Sequence, residues 1–182
     1  MKKLLVTACL AAAALSAQAF EVSSADIKDG GTLANAQVFD GFGCRGGNVA
    51  PQISWKNAPK DAKSFAVTVY DPDAPTGSGW WHWIVYDIPA TFNGLPGGAS
   101  ASADAKVKLP DGTRQGRNDY GSRDFGGACP PAGDKPHRYI VTVHALKVEK
   151  LGVADDASAA LIGYMLNANS LGKASLTGKY GR

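Results

Sequence analysis

The sequence predicts a mainly β fold, built of antiparallel strands with one late helix, and three observations predict it. Two runs alternate between apolar positions and the rest, one ending at Asp71 and a longer one starting at His137. A third run, Trp83 to Ile88, is apolar on both faces except at Asp87, as a central strand covered on both sides would be. Only one segment, from about Asp156 to Leu171, carries a convincing helical stripe. No repeat period, heptad or low-complexity tract competes with this pattern.

The elements follow in chain order. Gln52 to Trp55 reads as a short strand. In the next strand Phe65, Val67 and Val69 alternate with Ala66, Thr68 and Tyr70 and deliver Asp71 at its end. Pro72 then stops the ladder, because proline has no N–H to donate. After the Trp83 to Ile88 strand, the chain from Pro89 to Pro136 is rich in glycine, proline, alanine and polar residues, with one weak strand candidate at Val107 to Leu109. Connections this long inside a compact domain are uncommon and often bind something. Its Arg114, Arg117 and Arg123, beside Asn118, Asp119 and Tyr120, read individually as solvated surface charges. From His137 to Val148, Tyr139, Val141, Val143 and Ala145 alternate with Ile140, Thr142, His144 and Leu146, giving one long strand. The helix should bury Leu161, Ile162, Met165 and Leu166, start near Asp155 and Asp156, and stop at Gly172. Lys173 to Tyr180 then closes the sheet.

The first residues read as a targeting segment. Lys2 and Lys3 are a basic start, Leu4 to Leu15 an apolar core, and Ala17-Gln18-Ala19 a small-residue cleavage site before Phe20. Lipidation at Cys9 would cut that apolar core in half and is the weaker reading. Residues 1–19 are thus expected to be a signal peptide and 20–182 a single domain, periplasmic or secreted. No apolar run reaches the length of a membrane span. The two lysines leave with the segment, so the formal net charge falls from +3 to about +1. That balance gives no electrostatic case for nucleic acid or an anionic membrane surface. Cys44 and Cys129 remain, an even count in an oxidising compartment, which reads as one disulfide; two buried thiols are the alternative. Neither has a second ligand at close, regular spacing, so no metal site is expected.

Three short segments carry the chemistry: Asp71-Pro72-Asp73-Ala74-Pro75, Trp80-Trp81-His82-Trp83, and Cys129-Pro130-Pro131 followed by His137-Arg138-Tyr139. Each lies at a strand end or in an adjoining turn. Carboxylates and imidazoles raised on strand ends and walled by aromatics and stiff turns describe a small ligand pocket. Singly, each segment reads as loop punctuation or core. Together and in this order they resemble the phosphatidylethanolamine-binding protein family, also called Raf-kinase-inhibitor-like, in its bacterial branch. The resemblance covers about Phe39 to Arg182.

The resemblance implies a compact β-rich fold with a small anion-accepting pocket and no cofactor. Carried over residue by residue, that pocket uses Asp71, Trp80, His82, Pro130, Pro131, His137 and Tyr139. Asp73 is expected as a turn acceptor, and His144, on the face opposite Tyr139, as a structural histidine. Protonated imidazoles would donate to the anion or to Asp71, and backbone N–H groups of the Gly126-Gly127-Ala128-Cys129 turn would add donors. Replacing His137 should therefore weaken binding with little change in fold. The chain departs from the family at Cys129, where many members have glycine, at Trp81, where animal members often have histidine, and in lacking a C-terminal capping helix. All three put phospholipid specificity in doubt.

The family holds lipid-head-group binders, kinase or protease inhibitors and plant flowering regulators, so it fixes fold better than role. A small phosphorylated or other anionic ligand is the expected partner. The alternative is a protein target, a kinase or peptidase docked on the pocket rim. Catalysis by Asp71, His82 and His137 is the third possibility, but there is no G-x-S-x-G, no H-E-x-x-H and no low-pKa cysteine outside the expected bridge. The protein is therefore expected not to be an enzyme. Oligomeric state is not legible in the sequence, a dimer included.

Overall fold

The computed structural model describes residues 18–182 apart from 101 and 103. The expected targeting segment therefore lies outside the described residues except for Gln18 and Ala19. The chain runs through β1 (Glu21–Ser23), β2 (Asp40–Gly41), β3 (Cys44–Arg45), β4 (Ile53–Lys56), β5 (Ser64–Asp71) and β6 (Trp80–Pro89). Then come β7 (Gly94–Leu95), β8 (Ala99–Ser100), β9 (Val107–Lys108), β10 (Arg114–Gln115), β11 (His137–Leu146), α1 (Ala159–Asn169) and β12 (Ser170–Tyr180).

Five strands form the main sheet in the order β10-β6-β5-β11-β12, all neighbours antiparallel. A smaller sheet, β1-β4-β7, packs on one of its faces and α1 on the other. Val67, Val69, Trp83, Val85, Val141 and Val143 join Ile53, Trp55 and Leu95 of the small sheet in the main core. Ala66, Ile84, Tyr86 and Leu146 join Ile162 and Leu166 of α1 in the second. This two-sided cover is why the central strands read as apolar on both faces. Three pairings depart from the antiparallel expectation: β8 and β9 are parallel, as are the isolated bridges Thr32–Lys179 and Val38–Ala128.

Two bulges interrupt the β5–β6 ladder. At the first, Asp87 takes a left-handed φ of 60° and its buried carboxylate accepts the Leu151 N–H at 2.8 Å. This explains the one polar residue in that run. At the second, Val69 faces Trp83 and Tyr70 faces Trp81, so His82 is the extra residue. Its ring comes to 5.0 Å from Tyr139 in the main core, while Trp81 packs on the α1 side. A bulge re-aims a side chain in this way, here turning two consecutive residues, His82 and Trp83, to one face.

The helix differs from expectation in start, face and stop. It begins at Ala159, capped by Ser158, whose hydroxyl accepts the Leu161 N–H. Asp155 lies ahead of it, paired with Arg114, and accepts from Arg123 through its carbonyl. Arg114 also lies over the Tyr86 ring, so these arginines fasten loops and are not merely solvated. The buried stripe is Ala159, Ile162, Gly163 and Leu166, while Leu161 is 47% exposed. Gly163 is the close-approach point, because a Cβ there would lie 3.0 Å from the Trp81 ring. No glycine ends the helix: Ser170 turns directly into β12, and Gly172 is a strand residue paired with Ala145.

Candidate functional site

In an antiparallel sheet, neighbouring strands end and begin at the same edge, so Asp71 (last of β5), Trp80 (first of β6) and His137 (first of β11) are brought together. A cavity of about 230 Å³ opens there. All seven residues expected from the sequence line it: Asp71, Trp80, His82, Pro130, Pro131, His137 and Tyr139. Phe42, Ala74, Pro75, Thr76, Tyr120 and Cys129 complete the wall, and no lysine or arginine is among them.

The polar floor is an ordered network. The His137 Nδ1 lies 2.7 Å from Asp71 Oδ2, both side chains being almost fully buried. The His137 Nε2 faces Asp134 Oδ2 at 3.4 Å, towards the surface. Asp71 Oδ1 accepts the Asp73 N–H at 2.8 Å. The turn acceptor is thus Asp71, not Asp73 as the sequence suggested. Asp73 instead takes a bidentate grip from Arg138, at 2.9 and 2.7 Å, which holds its carboxyl down at about 2.

His82 sits deeper. Its Nδ1 is 2.7 Å from Gly126 O and 3.1 Å from Gly127 O, so this nitrogen is the donor. Burial lowers its pKa, against the smaller opposing pull of those carbonyls and Asp71. The Gly126-Gly127 turn therefore presents carbonyls to His82, whereas its N–H groups are spent on His82 O and Asn48. It is not the donor nest expected from the sequence. Three buried polar atoms around the cavity have no partner among the described residues: His82 Nε2, Tyr139 Oη and Trp80 Nε1.

Sequence reasoning missed Tyr120 and Phe42. Tyr120 stacks on Phe39 at 4.0 Å between centroids and meets Trp80 and His82 edge-on at 5.2 and 5.6 Å. Its hydroxyl donates to Gly127 O, and burial raises its pKa. Phe42 stands 71% exposed on the rim, at a left-handed φ of 51° between Gly41 and Gly43. That glycine-flanked aromatic was the signal available for it. A Cys44–Cys129 disulfide ties this hairpin tip to the Pro130-Pro131 wall. Arg182 adds a second tie, donating to Pro130 O at 2.7 Å and to the Phe42 and Gly43 carbonyls at 3.4 Å. Across Tyr120 lies a larger hollow of about 490 Å³. Its polar groups are already committed, Ser100 to Asp124 and Asn48 to Phe125 O and Gly127 N, so it offers less chemistry.

His144 is buried behind the sheet, with burial and the facing Lys173 pushing its pKa down to about 4. Both His82 and His144 are thus neutral when native but protonate near 6.5 when unfolded, so stability is complete above pH 6.5 and falls below it. Urea unfolding at pH 5 should show a loss of about 2 kcal/mol from His144 relative to pH 7.5, with His82 adding a loss of the same sign. His144→Gln should flatten the profile. A flat wild-type profile would contradict both burials.

The phosphatidylethanolamine-binding protein family matches residues 23–181. The chain is 56% identical over 182 residues to the UPF0098 protein YbcL of Escherichia coli K12, covering 99% of this chain and 98% of that one. It is 46% identical over 157 residues to the UPF0098 protein YbhB of the same organism, covering 86% and 97%. The crystal structure of E. coli YbcL, described as a new member of the mammalian PEBP family, superposes with a TM-score of 0.84 over 90% of this chain and 98% of that one. No helix among the described residues is long and apolar enough to cross a membrane.

Proposed function

The chain belongs to the phosphatidylethanolamine-binding protein family, and from that premise we propose that it binds a small anionic ligand, phosphoryl in character, in the cavity at the ends of β5, β6 and β11. The observation that carries this is the set of three buried, unpartnered polar atoms, His82 Nε2, Tyr139 Oη and Trp80 Nε1, around one cavity. Buried polar groups are nearly always hydrogen-bonded, so a cluster of orphans at a cavity wall marks where a ligand supplies the partners.

Binding rather than catalysis is favoured by what is already committed. Both Asp71 oxygens hold hydrogen bonds, and both His137 nitrogens face carboxylates. Thr76 Oγ1 donates to Gly79 O, and Cys129 is bridged. No serine or free thiol lines the pocket. The protein acts outside the cytoplasm in this reading, after cleavage behind Ala19. N-terminal sequencing of the exported protein should begin at Phe20, and retention of Met1 would refute it.

Isothermal titration with inorganic phosphate tests the pocket. Tyr139→Phe removes one orphan donor and should weaken binding by about 1–1.5 kcal/mol without affecting the fold. His144→Ala, on the opposite face, should leave affinity unchanged. Equal losses in both variants would point to general destabilisation and reject the assignment.

A further inference from the structure

The hydrogen-bond roles around the cavity are mixed, and that restricts the ligand. His82 Nδ1 faces two backbone carbonyls and must carry the ring's proton, so the neutral ring offers a lone pair at Nε2. Asp71 is a second acceptor in the same wall. The donors are the Trp80 indole N–H and the Tyr139 hydroxyl, both without partners among the described residues. No lysine or arginine lines the cavity to offset a second negative charge, such as that of a phosphomonoester dianion.

A tetrahedral oxyanion without hydrogen would set a bare oxygen against the Nε2 lone pair or the Asp71 carboxylate. A singly protonated phosphomonoester would not. Its P–OH donates to His82 Nε2, while its remaining oxygens accept from Trp80 and Tyr139. Resting on the anion-pocket reading above, we propose that the cavity selects a phosphoryl group that still carries a proton, and rejects sulfate esters and phosphodiesters of equal size. The selectivity comes from the unpaired acceptor, which is costly to leave unmatched in a buried site. The protein's own groups facing this point are Asp71 from β5, Tyr139 from β11, and Tyr120 and Asp119 from the segment after β10, with His137 and Asp134 behind Asp71.

Three probes of similar shape separate the possibilities: methyl phosphate, methyl sulfate and dimethyl phosphate, titrated into the full mature protein from pH 5.5 to 8. At pH 6, methyl phosphate should bind about 30-fold or more tighter than either other probe. Its affinity should fall by about tenfold per unit well above its second pKa near 6. Titration of the protein's own groups would shift all three probes together, so the difference between probes isolates the ligand's proton. Methyl sulfate binding within about threefold of methyl phosphate overturns the proton selectivity while leaving the anion pocket standing. Absence of binding by all three overturns the pocket reading and this inference with it.

Discussion

Removing the Cys44–Cys129 bridge should cost about 4–5 kcal/mol, because it closes a loop of 85 residues and the unfolded chain regains the entropy of that loop. For a domain of this size that is a large share of the total stability. Cys44→Ala with Cys129→Ala, compared with wild type by urea unfolding, gives the number. The expected local result is a looser rim, since the bridge holds the Phe42 hairpin to the Pro130-Pro131 wall, with Arg182 as the remaining tie. A double variant as stable as wild type would refute the loop-entropy argument for the bridge. Two alkylatable thiols in wild-type protein isolated under non-reducing conditions would remove the bridge altogether.

His137→Ala should lower stability by about 3–5 kcal/mol, the usual cost of breaking a buried pair from one side. The reason is what remains: an Asp71 carboxylate only 2% exposed, held by the Asp73 N–H alone. The sequence suggested that His137 could be removed with little effect on the fold; its burial against Asp71 says that it cannot. Replacing both partners, Asp71→Leu with His137→Leu, should recover stability to within about 1 kcal/mol of wild type while abolishing phosphate binding. Urea unfolding of the two variants decides it. A loss below about 1 kcal/mol in His137→Ala would mean that Asp71 is not dependent on the imidazole.

The strands were legible because burial on two faces writes a strong pattern, as in β5, β6 and β11. The pocket residues were legible because turns rich in proline and carboxylate sit at the ends of those same strands. What was hidden shares a different physical character. A strand of two residues such as β10 has no period, so its place on the sheet edge beside β6 could not be seen. Leu161 and Ile162 are equally apolar, and only the position of Trp81 against Gly163 decides which faces inward. The division of labour between Asp71 and Asp73 depends on Arg138 and His137 arriving from another strand, a long-range fact that local turn chemistry does not contain. Tyr120 enters the wall by stacking on Phe39, a contact between distant segments with no local signature.

The bulge at His82 gives the β5–β6 pairing an odd sensitivity. Between Val69–Trp83 and Tyr70–Trp81, the partner strand carries one residue more than the ladder needs. Deleting Trp81 would heal the pleat and set His82 opposite Tyr70 on the α1 face, taking the imidazole out of the cavity although no cavity-lining residue had been removed. At this point the chemistry of the cavity is therefore written in arithmetic: the number of residues between two hydrogen bonds matters more than which residues they are.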